Sequence, residues 1–186
     1  MFQGYDERYL AEYAARSSSE IGQRIYAARW AFVQRHCSGG RLLDYGCATG
    51  AFHLSRPKDQ WQVFDATGYD INPNSIYSLA PKGVFDILTM WDVIEHLVIP
   101  TDPIRGYRPA IVFISTPNID DVDDFNAVRS WKHWKPGEHL HYFNLKSLAA
   151  VLACEGYSIV EHNFEEGLIR APARPNAILS VVARRD

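Results

Sequence analysis

The sequence is short of cysteine, of uninterrupted apolar runs and of surplus charge, and each shortage removes a class of answer. Its three cysteines, Cys37, Cys47 and Cys154, are odd in number and form no CxxC pair. They supply no disulfide framework, which suits a reducing compartment. No apolar run reaches the roughly 18 residues of a bilayer span, so no membrane segment is expected. The opening residues MFQGYDERYL lack the charged-then-apolar layout of a secretion signal, and the expected location is the cytoplasm. A formal net charge of −3 lacks the basic surplus of proteins that grip a phosphate backbone, which disfavours nucleic acid as a partner. What is there is ordinary globular material. The 186 residues are 47% hydrophobic and 22% charged, enough for one domain with a sizeable core.

From about Asp6 to His36 apolar residues recur at helical spacing, with Tyr9, Leu10 and Tyr13 followed by Ile21, Ile25, Ala28 and Phe32. Ser17-Ser18-Ser19-Glu20 divides this stretch into two helices, the serine before glutamate suiting an N-cap, and Ser38-Gly39-Gly40 ends the second. Residues 1–38 read as a helical cap on a core of residues 41–186. Arg41–Tyr45 reads as a buried strand, and Pro57 limits the helix after it, Ala51–Arg56, to under two turns. A second strand ends at Gly68-Tyr69-Asp70-Ile71, and Ser75–Leu79 makes a short helix at best. Val84–Met90 and Ile111–Ser115 are the next strands, with a helix starting at Asp92–Leu97 between them. Leu145–Glu155 has helical periodicity and stops at Gly156. Tyr157–Phe164 and Ala177–Ala183 close the fold as two strands with only a loop between them, which pairs them antiparallel. The result is an α/β chain: a mostly parallel sheet, helices on both faces and an antiparallel last strand. The acidic run Asp120–Asp124 reads as solvated surface.

The sharpest signal is Leu42-Leu43-Asp44-Tyr45-Gly46-Cys47-Ala48-Thr49-Gly50. A buried strand runs into an acidic residue, two glycines four apart, then a helix. Glycine lets the backbone pass close beside a ligand, and the first helical turn offers free N–H groups. Asp70 follows twenty residues after Gly50, at the end of the next strand, where a carboxylate can accept from both hydroxyls of a ribose. Ile71 beside it can cover one face of an adenine ring. A dinucleotide site normally carries G-x-G-x-x-G, which G-C-A-T-G does not match, and Asp44 would face an anionic pyrophosphate. S-adenosyl-L-methionine (SAM) presents an ammonium and a sulfonium instead, so the charge of Asp44 favours SAM.

These residues, together with Trp91-Asp92-Val93-Ile94-Glu95-His96-Leu97, resemble the first, second and fourth motifs of class I SAM-dependent methyltransferases. Ser115-Thr116-Pro117-Asn118 and Gly137-Glu138-His139-Leu140-His141-Tyr142-Phe143 resemble the small-molecule branch that includes the ubiquinone-pathway O-methyltransferases. The resemblance implies a Rossmann-like sheet. It places Gly46, Ala48 and Gly50 under the methionine part of SAM, Asp70 on its ribose and Asp92 near the sulfonium, with Asp44, Cys47, Ile71 and Trp91 as further cofactor-binding candidates. Bacterial and phage genomes carry compact enzymes with a similar start. Two departures stand out. Ala48 replaces the middle glycine of the pattern. Only the twelve residues Asn72–Gly83 separate the Asp70 strand from Val84–Met90, room for one crossover, so the third strand of the family is expected to be missing.

On the acceptor side, Asp92, Glu95 and His96 sit at i, i+3 and i+4, one face of a helix. Three readings stay open. His96 or His139, with Glu95, acts as a general base toward an acceptor hydroxyl. Alternatively Asp92, Glu95, His96 and His141 hold a divalent metal that polarises the acceptor, a layout similar to metal-dependent ubiquinone-type enzymes and small-RNA 2′-O-methyltransferases. Or the group is structural. Phe2 and Tyr5 are lid candidates, whereas Tyr9 and Tyr13 read as packing. Arg24 and Arg29 can reach the SAM carboxylate, though most such arginines are solvated. Trp131 and Trp134 wall an acceptor pocket or plug the core. The expected activity is methyl transfer from SAM to an O, N or C atom of a small molecule, releasing S-adenosyl-L-homocysteine (SAH). A non-catalytic SAM-binding or interaction module is the runner-up, and a metal-assisted nucleic-acid methyltransferase is the third option. A lost edge strand leaves room for a homodimer.

Overall fold

The structure is a computed structural model that describes residues 7–60, 62–122 and 124–186. The lid candidates Phe2 and Tyr5 lie outside the described residues. Helices α1 (Glu7–Ser18) and α2 (Glu20–His36) separate at the serine run, where Ser19 is extended and its Oγ accepts from the Gly22 N–H at 3.1 Å. The turn is tight enough to need Gly22, because a Cβ there would lie 2.4 Å from the Arg16 carbonyl oxygen.

Six strands follow: β1 (Gly40–Tyr45), β2 (Phe64–Tyr69), β3 (Ile87–Trp91), β4 (Ile111–Pro117), β5 (Tyr157–Asn163) and β6 (Ile178–Arg185). They form one sheet in the order β2-β1-β3-β4-β6-β5. The first four are parallel, and β6 runs antiparallel to both β4 and β5. Every residue of β3 and β4 is buried, as an apolar central strand covered on both faces should be. On one face α2 and the short α3 (Ala51–Leu54) pack Trp30, Phe32, Val33 and Phe52 onto Leu42, Ile87 and Phe113. Trp30 stacks on Phe52 at 4.8 Å and donates its Nε1–H to the Phe52 carbonyl at 3.0 Å. The other face takes Leu148 and Leu152 of α5 (Leu145–Ala153) against Leu43, Leu88, Ile114 and Val181.

The expected missing strand is missing, and β2 is the edge of the sheet. No helix forms in the connection from β2 to β3. Pro73, Pro81 and Gly83 break any run there, and Ser75–Leu79 is a series of turns rather than a short helix. The connection is pinned instead. Ser75 Oγ donates to the Ala48 carbonyl at 2.8 Å, and the Asp70 N–H to the Tyr77 carbonyl at 3.0 Å. Farther on, Tyr107 Oη reaches the Pro81 carbonyl and Arg41 Nη1 the Val84 carbonyl.

Three other expectations change. Asp92–Leu97 contains a single 3-10 turn, Ile94–His96, ahead of α4 (Asp102–Tyr107), so the i, i+3, i+4 helix face does not exist. The link between β5 and β6 carries a helix, α6 (Glu165–Arg170), rather than loop alone. Asp121 in the acidic run is not solvated, for its carboxylate takes the Trp131 Nε1–H at 3.3 Å and the Arg174 Nε at 3.2 Å. Among the described residues no helix is long and apolar enough to cross a membrane.

Candidate cofactor and acceptor site

The loop after β1 is built from left-handed backbone. Gly46, Ala48 and Gly50 have φ of 77°, 49° and 78°. Gly46 is required twice over, because a Cβ there would also stand 2.3 Å from Val93 Cγ2. The Gly46 and Cys47 N–H groups both donate to the Tyr69 carbonyl, at 2.7 and 3.1 Å, so the loop is tied to the end of β2. Ala48 adopts the conformation without being glycine, at a cost of about 1–2 kcal/mol. Its peptide groups offset that strain: the N–H donates to Asp70 Oδ2 at 2.6 Å, and the carbonyl accepts from Ser75.

Asp70 is buried, and its Oδ1 accepts the Asn72 N–H at 2.8 Å. Burial pushes its carboxyl up, while the Asn72 and Ala48 N–H groups pull the other way. Each oxygen keeps a lone pair, so the carboxylate is aimed and still able to accept from a vicinal diol. Ile71 next to it is 66% exposed, an apolar surface open to an aromatic base. Asp44 is buried between Thr89 Oγ1 at 3.0 Å and His53 Nδ1 at 3.3 Å.

A narrow cleft opens beside this loop, lined by Tyr13, Arg29, Asp44, Gly46, Cys47, Phe52 and Trp91. Tyr13, read from sequence as packing, stands over the cleft as its roof. Trp91 is buried in the wall, and its Nε1–H has no partner among the described residues. The Cys47 thiol is pushed far up by burial and then by Asp44 and Asp70, so it is no nucleophile. A carboxylate at one end, glycine backbone beneath and a second carboxylate beside an apolar patch fit a ligand with a cationic tail and a nucleoside head.

Asp92 is placed at the mouth with φ 57°, but its charge is already taken. Arg170 Nη1 and Nη2 grip its two oxygens at 3.0 and 2.6 Å, and Arg29 Nη2 adds a third bond at 3.0 Å. Burial alone would raise this carboxyl, but Arg170 and Arg29 outweigh it and hold it well below the usual range. Glu166 completes the group with a bidentate pair to Arg29, 2.9 Å on both arms, and a 2.6 Å contact to Arg170. Two guanidiniums and two carboxylates therefore balance. Arg29 is 3% exposed, far from the solvated arginine expected on such a helix, whereas Arg24 is exposed.

The acceptor-side groups gather behind Asp92. One ligand atom from each of Glu95, His96 and His139 lies within 4.8 Å of the others. The Leu140 and His141 N–H groups both donate to the Glu95 carbonyl, at 2.8 and 3.1 Å, clamping the His139 loop onto the 3-10 turn. The His96 and His139 rings meet edge-on at 4.7 Å, and His133, which sequence pattern did not single out, lies 6.4 Å from His139. The His96 Nδ1 faces the Glu138 carbonyl at 3.0 Å, so that nitrogen carries the proton and Nε2 stays free to accept. Both Glu95 carboxyl oxygens, His139 Nδ1 and His133 Nε2 are buried without a hydrogen bond among the described residues, although His96 Nε2 stands 3.9 Å from Glu95 Oε1 and Thr116 faces the same carboxyl. His141 is outside this set and stacks on Phe143 at 5.8 Å. Trp131 is buried in the core, and Trp134 stacks on Tyr142 at 5.1 Å.

Electrostatics make this cluster neutral at pH 7. Burial, then the charge of Asp92, pushes Glu95 up to about 8. Burial pushes His139 and His133 down to about 4 and lowers His96 as well. Glu95 is thus protonated in the fold and ionised in the unfolded chain over the intervening range. The folded state binds the extra proton, so stability falls by up to roughly 1.4 kcal/mol per pH unit as pH climbs from about 4.5 toward 8. Thermal melts of Glu95→Gln, which cannot ionise, are expected to escape this loss. The gap between variant and wild type should widen up to about pH 8 and then stay level. A gap that does not change with pH would mean that Glu95 is ionised throughout.

Comparisons with known proteins show the family and the fold. The family described as a methyltransferase domain matches residues 10–162. Among curated proteins no sequence match is found. The fold is similar to magnesium protoporphyrin IX methyltransferase of Synechocystis PCC 6803 with bound SAH, at TM-score 0.68 and 12% identity over 98% of this chain and 96% of that one. It is similar to a SAM-dependent methyltransferase of Archaeoglobus fulgidus, at TM-score 0.63 and 17% identity over 97% and 100%. It is also similar to the 1,6-didemethyltoxoflavin-N1-methyltransferase of Burkholderia thailandensis, at TM-score 0.54 and 14% identity over 100% and 91%. With a matched family spanning most of the chain, the chain belongs to the methyltransferase-domain family and is a SAM-dependent enzyme.

Proposed function

We propose that this enzyme methylates an oxygen or nitrogen of a small molecule seated between the cofactor cleft and the Glu95–His96–His139 cluster. The observation that carries the reading is the cluster of buried atoms there that make no hydrogen bond, His139 Nδ1 and His133 Nε2 beside the Glu95 carboxyl, because buried polar groups left without one are uncommon and call for an explanation such as a ligand. When bound, SAM supplies a methyl group on a cationic sulfur, already activated for displacement. The residues of this chain supply position and proton handling. Asp70 and the Gly46–Gly50 backbone fix the donor, and Tyr13 keeps water from it. A neutral imidazole, His139 or His96, accepts the proton of the acceptor hydroxyl or amine as the new bond forms. Helices α1 and α2 serve as a cap that carries Tyr13 and Arg29 to the core. Two similar structures are named for small-molecule acceptors, magnesium protoporphyrin IX and 1,6-didemethyltoxoflavin, and a third is named for small RNA.

A second reading rests on the same three side chains. One carboxylate and two imidazoles within 4.8 Å are a donor set for a divalent cation, which would displace the Glu95 proton and polarise the acceptor oxygen. Asp92 is committed to its arginines, so it does not join this set.

The test measures SAH formation from SAM across a panel of small hydroxyl and amine compounds, with EDTA or Mn²⁺. Acceptor-dependent SAH that falls by about 10²-fold or more in His139→Ala, while SAM binding is retained, is the expected result. Loss in EDTA with recovery in Mn²⁺ would select the metal reading. SAH released only with RNA or protein acceptors would overturn the small-molecule proposal.

A further inference from the structure

Below the cofactor loop lies His53, the third residue of α3, in a slot made by two glycines. A Cβ on Gly68 would stand 2.4 Å from its Cε1, and one on Gly50 would stand 2.8 Å from the same atom. The ring is 4% exposed and meets Tyr77 edge-on at 4.9 Å. An aliphatic side chain would fill such a slot without a polar atom to satisfy. This imidazole instead turns Nδ1 toward Asp44 Oδ2 at 3.3 Å, while the Thr89 hydroxyl donates to Oδ1 at 3.0 Å. A carboxylate only accepts, so the proton of the histidine contact sits on Nδ1. Asp44 is therefore held by one donor on each oxygen, and it lines the cleft above.

We infer that His53 is a positioning residue for the cofactor: it fixes the Asp44 carboxylate so that the remaining lone pairs face the α-ammonium of SAM. The inference rests on SAM being the ligand of this cleft. It accounts in part for glycine at Gly68, inside a strand and with an ordinary φ, since a Cβ there would meet both the imidazole at 2.4 Å and Cys47 Sγ at 2.6 Å. It also separates two jobs that a purely structural histidine would not separate, because only ligands with the ammonium should sense it.

Calorimetric titrations with SAM, with SAH and with 5′-methylthioadenosine, which lacks the aminocarboxypropyl tail, make the test. In His53→Ala, SAM and SAH are expected to bind roughly tenfold more weakly, and methylthioadenosine within about twofold of wild type. His53→Asn, which keeps an N–H donor, should recover most of the loss. In an Asp44→Asn background the His53→Ala change should cost nothing further. Equal weakening of all three ligands, or no rescue by asparagine, would overturn the inference. If neither variant folds, ¹⁵N spectra of the wild-type ring decide: the His53 signals should move on adding SAM or SAH and stay fixed with methylthioadenosine. Movement with all three ligands would overturn it. A wild-type protein that binds neither SAM nor SAH would instead remove the cofactor reading on which the inference stands.

Discussion

Replacing Asp70 with alanine is expected to lower SAM affinity by about 10²-fold or more, a loss that calorimetry reads directly. Hydrogen bonds to a charged acceptor contribute about 1.5–3 kcal/mol each, and a ribose diol makes two. The same carboxylate also accepts the Ala48 and Asn72 N–H groups, so the variant leaves two backbone donors unpaired. Ala48 then sits at φ 49° without its compensating bond, and the loop around it should loosen. A melt at saturating and zero SAM separates the two effects: the apo protein drops modestly, and the stabilisation by ligand disappears. Unchanged SAM affinity in Asp70→Ala would place the nucleoside elsewhere.

The largest loss of stability is expected from Glu166→Gln. Glu166 and Asp92 together neutralise Arg29 and Arg170, and Arg29 and Glu166 are both 3% exposed. Removing one charge leaves two guanidiniums sharing one carboxylate in a dry setting, which costs about 3–5 kcal/mol. For a chain of this length that is a fall of roughly 10 °C in Tm. Arg35→Ala, which breaks an exposed pair with Glu161, should cost under about 1 kcal/mol and serves as the control. Replacing Arg29 and Glu166 together by methionine and leucine should recover part of the loss, since an apolar pair leaves no orphan charge between them. A Glu166→Gln melt within about 2 °C of wild type would mean that water reaches the network and screens it.

Local signals were readable from the chain because they act over a few residues. The Ser19 cap, the glycine loop, the shortened connection and the Asp70 strand end all depend on neighbours in sequence, and the structure has them. What could not be read depends on distance. Arg29 and Glu166 are 137 residues apart, and no periodicity announces their pairing. Helix α6 is six residues long, too short for its pattern to outweigh the loop residues that follow it. The 3-10 turn at Ile94–His96 follows an Asp92 that has a left-handed φ and is held by two arginines distant in sequence, neither of which local spacing announces. Tyr13 has ordinary helical spacing, and only its place beside Asp44 and Gly46 in the cleft lining sets it apart. A histidine at position 133 and a histidine at 53 carry no motif either, and both were found only through what surrounds them.

The placing of β6 between β4 and β5 has a consequence for how the protein is made. Strands β2, β1, β3 and β4 can assemble as a parallel unit once residue 117 has left the ribosome. Strand β5 cannot join them, because its partner is β6, residues Ile178–Arg185. Until then the free side of β4 stays exposed, and a nascent chain is open to mispairing there. Helix α6 follows β5 and packs on α2, bringing Glu166 and Arg170 with it. The order of synthesis thus leaves Asp92 and Arg29 without their partners on α6 until that helix has emerged and docked.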